Sequence, residues 1–200
     1  MKIVLGLGNP GPEYRNTRHN VGCRVVDALA SEAGIAVDRR SRLSRTGRGR
    51  IGSEDVVLAK PRTFMNESGR AAQALLAEAG ATPAELLVVV DDMDLPLGRL
   101  RMRPNGSTGG HRGLQSVEAC LGTLDYPRLR VGIGRPEGRG AVDHVLSSGG
   151  TSERERLELS VARAAEAARC WIMEGIESAM NRFNGEPQET EGKEGEREGL

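Results

Sequence analysis

Met1-Lys2-Ile3-Val4-Leu5-Gly6-Leu7-Gly8-Asn9-Pro10-Gly11-Pro12 is the stretch whose reading decides the fold. Ile3–Leu7 is an apolar run of strand length, ended by a cluster of turn-forming residues. Downstream, Val21, Val25, Val26 and Leu29 recur at helical spacing, which predicts a helix from about Asn20 to Ala33 stopped by Gly34. A hairpin is expected over Arg48–Ile51 and Val56–Ala59, then a helix from about Glu67 to Ala79. Leu86–Val90 is the clearest buried strand. Arg99–Arg103 alternates Arg with Leu100 and Met102 as a further strand, a helix runs from Gly113 to Leu121, and Leu129–Ile133 is the last strand. Ser152-x-x-Glu155 has the form of a capping box and predicts a long helix from about Glu153 to Arg182. Its stripe of Leu157, Val161, Ala164, Ala165, Ala168, Ile172 and Ile176 should pack on the sheet. Strands alternating with helices give an α/β fold: a single domain with a twisted, mostly parallel mixed sheet, helices on both faces and a long C-terminal helix.

The bulk properties agree with that reading. Two hundred residues, 38% hydrophobic and 28% charged, suit one domain, or one domain with a tail. No apolar run approaches the ~20 residues that span a bilayer, and a strand-like segment follows Met1 directly, so a cytoplasmic chain is expected. Cys23, Cys120 and Cys170 are far apart and odd in number, which fits reduced, inert thiols rather than a disulfide or zinc framework.

The net charge of zero hides an asymmetry. Residues 185–200 hold six Glu against one Lys and one Arg, a charge of −4, so the rest of the chain carries +4. This tail has no apolar periodicity and is expected to be disordered, leaving residues 1–184 as the folded domain. The positive charge is arginine and is clustered at Arg39, Arg40, Arg42, Arg45, Arg48 and Arg50, and again at Arg99, Arg101, Arg103, Arg112, Arg128, Arg130 and Arg135. Guanidinium forks match phosphate, so a polyanionic partner is expected. Aromatics make up only 2%, against a module that stacks single-stranded bases on Phe and Tyr.

Gly6-Leu7-Gly8-Asn9-Pro10-Gly11 matches GxGxxG, with Asp27 about 20 residues on, and so imitates a dinucleotide-binding turn. Pro10, Gly11 and Pro12 delay the helix that such a turn must open, and Asp27 falls inside a helix, so that reading is set aside. Ligands of open α/β sheets sit at the carboxyl ends of the strands. Asn9 and Asp91 leave two strong strands there, and His19 lies close enough to Asn9 to fold over the same edge. A His held by a carboxylate can activate water. The bland alternatives are a capping His and a turn at Asp91-Asp92. A metal site from His19, His111 and His144 with Asp91, Asp92 and Asp94 has no supporting spacing.

Five ordered motifs resemble the bacterial-type peptidyl-tRNA hydrolase family. They are Gly6-Leu7-Gly8-Asn9-Pro10-Gly11-x-x-Tyr14-x-x-Thr17-Arg18-His19-Asn20-x-Gly22; Lys60-Pro61-x-Thr63-Phe64-Met65-Asn66-x-Ser68-Gly69; Val89-x-Asp91-Asp92-Met93-Asp94-Leu95-Pro96; Gly109-Gly110-His111-x-Gly113-Leu114; and Arg128–Pro136. The resemblance spans residues 1 to about 184. It implies hydrolysis of the ester joining peptide to tRNA, so that tRNA is freed for translation and stalled ribosomes are rescued, by a cofactor-free, metal-free cytoplasmic monomer. Catalytic residues implied are His19 as general base, Asp91 orienting it, and Asn9 beside the scissile bond. Implied substrate contacts are Tyr14, Phe64, Met65, Asn66, His111 and Arg112, with Arg101, Arg103 and Arg130 on the tRNA backbone. His144 lies in a segment that resembles the family's lid. Arg112 departs from the pattern, standing where the family typically has Asn. A catalytically silent RNA-binding relative is the competing expectation, with a metallohydrolase third.

Overall fold

The computed structural model describes residues 1–136, 138 and 140–185; apart from Gly185, the acidic segment expected to be disordered lies outside them. In chain order the elements are β1 (Lys2–Gly6), α1 (Val21–Ala33), β2 (Arg39–Arg40), β3 (Ser44–Ile51), β4 (Glu54–Pro61), α2 (Ser68–Ala79), β5 (Leu86–Asp92), β6 (Leu100–Arg103), α3 (Arg112–Leu121), β7 (Arg128–Gly132), α4 (Ala141–Val145), α5 (Thr151–Glu174) and α6 (Ile176–Phe183). The strands form one sheet in the order β2-β3-β4-β1-β5-β7-β6. The central strands β4, β1, β5 and β7 run parallel, and antiparallel strands are added at both edges.

The period-two geometry of a strand divides the core into two layers. Val4, Leu87 and Val89 point to the face covered by α1 and α5, whereas Ile3, Leu5, Val88 and Val90 point to the face covered by α2 and α3. Both faces of β1 and β5 are therefore dry, which is why their sequences are apolar runs rather than alternations.

Three expectations are corrected. The hairpin is longer than the apolar residues indicated, because β3 alternates Arg with Gly and hides its strand character. The final helix is two: Gly175, at φ 90°, ends α5 and starts α6. The N-terminus of α5 is capped two residues earlier than Ser152 and Glu155, since the Gly150 N–H donates to the Glu153 carboxylate at 3.0 Å. Two short elements, β2 and α4, lacked any sequence signal. Among the described residues, no helix is long and apolar enough to cross a membrane.

Close approach explains Gly6, the first glycine of the run that imitates a nucleotide fingerprint, and Gly22 opposite it. A Cβ on Gly6 would lie 2.0 Å from the Gly22 carbonyl oxygen, and one on Gly22 would lie 2.3 Å from the Val89 carbonyl oxygen. Backbone-to-backbone packing of α1 on β1 and β5 is possible only without those side chains. Asp27 sits within α1 and pairs with Lys60, so it has a structural partner and no ribose to bind.

Candidate active site

Because α1 lies this tightly on the sheet, the 3-10 turn just before it hangs His19 over the carboxyl end of β5. His19 Nδ1 is 2.8 Å from Asp91 Oδ1, and the buried Asp91 side chain is only 3% exposed. His111 Nε2 approaches the same oxygen, Asp91 Oδ1, at 3.0 Å. The two rings are tilted against each other with centroids 5.1 Å apart.

The backbone at the start of α3 fixes the tautomer of His111. His111 is the N-cap of α3, and its Nδ1 accepts from the Gly113 and Leu114 N–H groups at 3.1 and 3.3 Å. An Nδ1 that accepts leaves the ring proton on Nε2, so His111 Nε2–H donates to Asp91. His19 donates Nδ1–H to the same carboxylate. In the neutral His19 ring, Nε2 therefore keeps its lone pair, with no partner among the described residues, beside the cleft that His19 lines. That is the tautomer a general base needs. Burial alone would raise the pKa of Asp91, but His111 and His19 together outweigh it and hold the carboxyl well below the usual carboxylate range.

The cleft has a volume of about 480 Å³. Asn9, Asp91, His111, Arg112 and Arg130 supply its polar lining, and Phe64, Met65, Val142, Val145 and Leu146 its apolar lining. Asn66 also lines it. Phe64 is 55% exposed and Val142 57%, so much of the apolar wall is open to a ligand.

Asn9 is held on both sides. Its backbone N–H donates to Asn20 Oδ1 at 2.8 Å, and Asn20 Nδ2 donates back to the Asn9 carbonyl at 2.9 Å. Asn9 Oδ1 accepts from the Met65 N–H at 2.8 Å. The side-chain oxygen is thus engaged, and the amide NH₂ is the group presented to a ligand. Sequence reasoning missed Asn20, although it falls inside the second half of the first motif.

Arg18, next to His19, was also missed. Its buried guanidinium donates to the His144 carbonyl at 3.2 Å and to Glu153 at 2.8 Å, and it contacts Ser147. Arg18 thereby ties the turn that carries His19 to α4 and the start of α5. The Gly150 N–H, and after it Arg18, hold the Glu153 carboxyl below its ordinary pKa. His144 lies in α4, away from Asp91, with Nε2 shared between the carbonyls of Ile133 and Gly134. Of the residues weighed for a metal, only His19, Asp91 and His111 converge, their candidate ligand atoms within 4.8 Å of one another. Within that cluster His19 Nδ1 and His111 Nε2 are both taken up by Asp91 Oδ1.

The arginines divide. Arg128, expected on a surface, is 1% exposed: it donates to the carbonyls of Gly106, Ser107, Leu124 and Tyr126 and lies over the Tyr126 ring. Arg130 donates to Asp92 Oδ2 at 3.1 Å and to the Ser107 carbonyl at 2.6 Å. Both hold the loop that leads to His111. Arg101 and Arg103 are exposed on β6, at the sheet's edge, and do not line the cleft; nor does Tyr14. Arg39, Arg40, Arg42, Arg45 and Arg48 gather at the opposite edge, on and around β2 and β3. Cys23 donates Sγ–H to the Gly6 carbonyl, and burial pushes its thiol up to about 12, so it is no nucleophile. Cys120 is half-buried and Cys170 buried.

Residues 3–192 match the family model described as peptidyl-tRNA hydrolase. The chain belongs to the peptidyl-tRNA hydrolase family. A peptidyl-tRNA hydrolase of Dehalococcoides mccartyi is 50% identical over 188 residues, covering 92% of this chain and all of its own length. One from Desulforamulus reducens is 50% identical over 184 residues, covering 92% and 89% of the two chains. The crystal structure of peptidyl-tRNA hydrolase from Acinetobacter baumannii superposes with a TM-score of 0.86 at 32% identity, covering 92% of this chain and 95% of that one. Membership in the peptidyl-tRNA hydrolase family agrees with a fold built around the ends of β1 and β5.

Proposed function

We propose that this chain hydrolyses the ester of peptidyl-tRNA, with the His19–Asp91–His111 arrangement under an open cleft as the observation that carries the reading. Water attacks the ester carbonyl carbon while His19 Nε2 takes its proton. Asp91 stabilises the imidazolium that forms. As the intermediate collapses, the C–O bond to the ribose breaks and His19 returns the proton to the leaving oxygen. The products are the peptide acid and tRNA with a free terminal hydroxyl. An ester is activated enough for one positioned base and good orientation, and the step requires no metal or cofactor.

Asn9 donates its amide N–H to the peptide carbonyl nearest the ester, a group every peptide offers whatever its side chains. Phe64, Met65 and Val142 cover apolar side chains without specifying them, and Asn66 adds a polar contact at the rim. Arg101 and Arg103 hold RNA phosphates outside the cleft, while Arg130 reaches them only by sharing its contacts to Asp92 and Ser107. Tyr14 contacts the RNA from outside the cleft. The protein acts as a cytoplasmic monomer in translation, recycling tRNA and rescuing ribosomes.

The test is release of N-acetyl-amino acid from N-acetyl-aminoacyl-tRNA by the purified protein in excess chelator. Turnover is expected there, with little attack on unblocked aminoacyl-tRNA. RNA binding without release would identify a silent relative, and loss of activity in chelator a metallohydrolase. Arg112, at the start of α3 on the cleft wall, is exposed and makes no ion pair among the described residues. A charge-assisted contact to a 3′-terminal phosphate or a peptide carbonyl follows, so Arg112→Asn should raise KM roughly 10-fold and leave kcat nearly unchanged. A large fall in the single-turnover rate alone would contradict that role.

A further inference from the structure

Asn184 fastens the end of α6 to the open side of β6. Its Oδ1 accepts from the Met102 N–H at 2.6 Å, and its Nδ2 donates to the Met102 carbonyl at 3.1 Å. An edge strand's unpaired backbone groups are thus answered by one side chain. Met102 is fully buried, so its neighbours Arg101 and Arg103 project from the other face of the strand. Both are exposed and have no ion-pair partner among the described residues. From this point the chain continues into residues 186–200, which hold six Glu against Lys193 and Arg197, a charge of −4. The family match stops at residue 192.

We propose that residues 186–200 compete with RNA phosphates for Arg101 and Arg103, lowering RNA affinity in a salt-dependent way. The inference rests on the reading of these two arginines as RNA-backbone contacts. A carboxylate meets the guanidinium fork with the same paired geometry as a phosphate. The anchor lies between the two arginines, and each residue of extended chain reaches up to about 3.5 Å, so the first glutamates need only a few residues to arrive. A single exposed Glu–Arg pair is weak, so the segment competes with RNA without excluding it. The other basic cluster, on β2 and β3, is at the far edge of the sheet, about five strand spacings or ~24 Å away.

The experiment compares uncharged-tRNA affinity between about 50 and 300 mM salt. Four chains are used: the wild type, one with all six segment glutamates replaced by glutamine, Arg101→Gln/Arg103→Gln, and the combination. The glutamine segment should tighten Kd about fivefold at low salt, and the gain should fade as salt rises. With N-acetyl-aminoacyl-tRNA it should lower KM and leave kcat unchanged. In the Arg101→Gln/Arg103→Gln background the same glutamines should give no gain. An unchanged Kd on neutralising the segment, or a gain that persists without the two arginines, overturns the proposal. The arginine pair alone separates the two readings. If its loss leaves Kd unaltered, the RNA-contact reading and the proposal both fail; if its loss weakens binding while the glutamines do nothing, only the proposal fails.

Discussion

His19→Ala is expected to reduce the single-turnover rate on N-acetyl-aminoacyl-tRNA by about 10²–10⁴-fold, the usual contribution of a positioned general base. Substrate affinity should change little, because the ring's known contacts are to Asp91 and to its own side of the cleft rather than to the arginines of β6. The variant leaves a ring-sized space beside an ionised carboxylate. Added imidazole should occupy that space and restore part of the rate, which a purely structural role for His19 would not allow. Equal rates for variant and wild type would falsify the assignment of His19 as base.

The second large effect is at Asp91, and the sharing of one oxygen by two histidines makes it unusually specific. Asn at this position removes the charge but keeps an oxygen acceptor. Ordinarily the amide could turn and present NH₂ to His19, forcing the wrong tautomer, which is very costly in a Ser-His-Asp triad. Here His111 Nδ1 is committed to accepting from Gly113 and Leu114, so its Nε2 must donate and the amide oxygen must face it. That same oxygen position serves His19. Asp91→Asn should therefore keep the productive tautomer and lose only the stabilisation of the imidazolium, a fall in kcat of about 10–10²-fold with KM nearly constant. Asp91→Ala, which removes the acceptor as well, should fall further. Indistinguishable rates for the two variants would show that the tautomer is not locked through His111.

The same carboxylate makes a prediction about acid stability. Its pKa is depressed in the folded protein, so its stabilising contribution is fully present above the ordinary carboxylate value of about 4 and is lost as pH falls toward the folded value. Unfolding measured from about pH 5 downward should show the stability advantage of wild type over Asp91→Asn shrinking with each step. An advantage that grows on acidification would reverse the sign of the coupling.

Much of this molecule was legible in local chemistry. Apolar runs at 3–7 and 86–90 marked the two central strands because both faces of each are covered, and helical periodicity marked α1, α2 and α5. Pro10 and Pro12 excluded the dinucleotide turn. The polar residues Asn9 and Asp91 at the ends of neighbouring parallel strands were enough to place His19 beside a carboxylate. Hairpin length, the break at Gly175 and the short α4 were not legible, because alternating Arg and Gly, or five residues without a strong face, carry no periodic signal.

What only the tertiary structure decided is the partner of each polar group. Arg128 and Arg130 share a face of β7 and look alike in sequence, yet one is sealed beneath the loop at 106–107 and the other lines the cleft. Asn9 could offer a donor and an acceptor until Met65, 56 positions away, took its oxygen. His19, Asp91 and His111 meet across separations of 72 and 20 residues. Periodicity and turn preference act over a few residues and so are written along the chain. Hydrogen bonds between distant side chains exist only once the sheet has set which strand ends lie side by side. The sequence by itself therefore determined the scaffold and nominated His19; folding determined which of its nitrogens is free to take a proton.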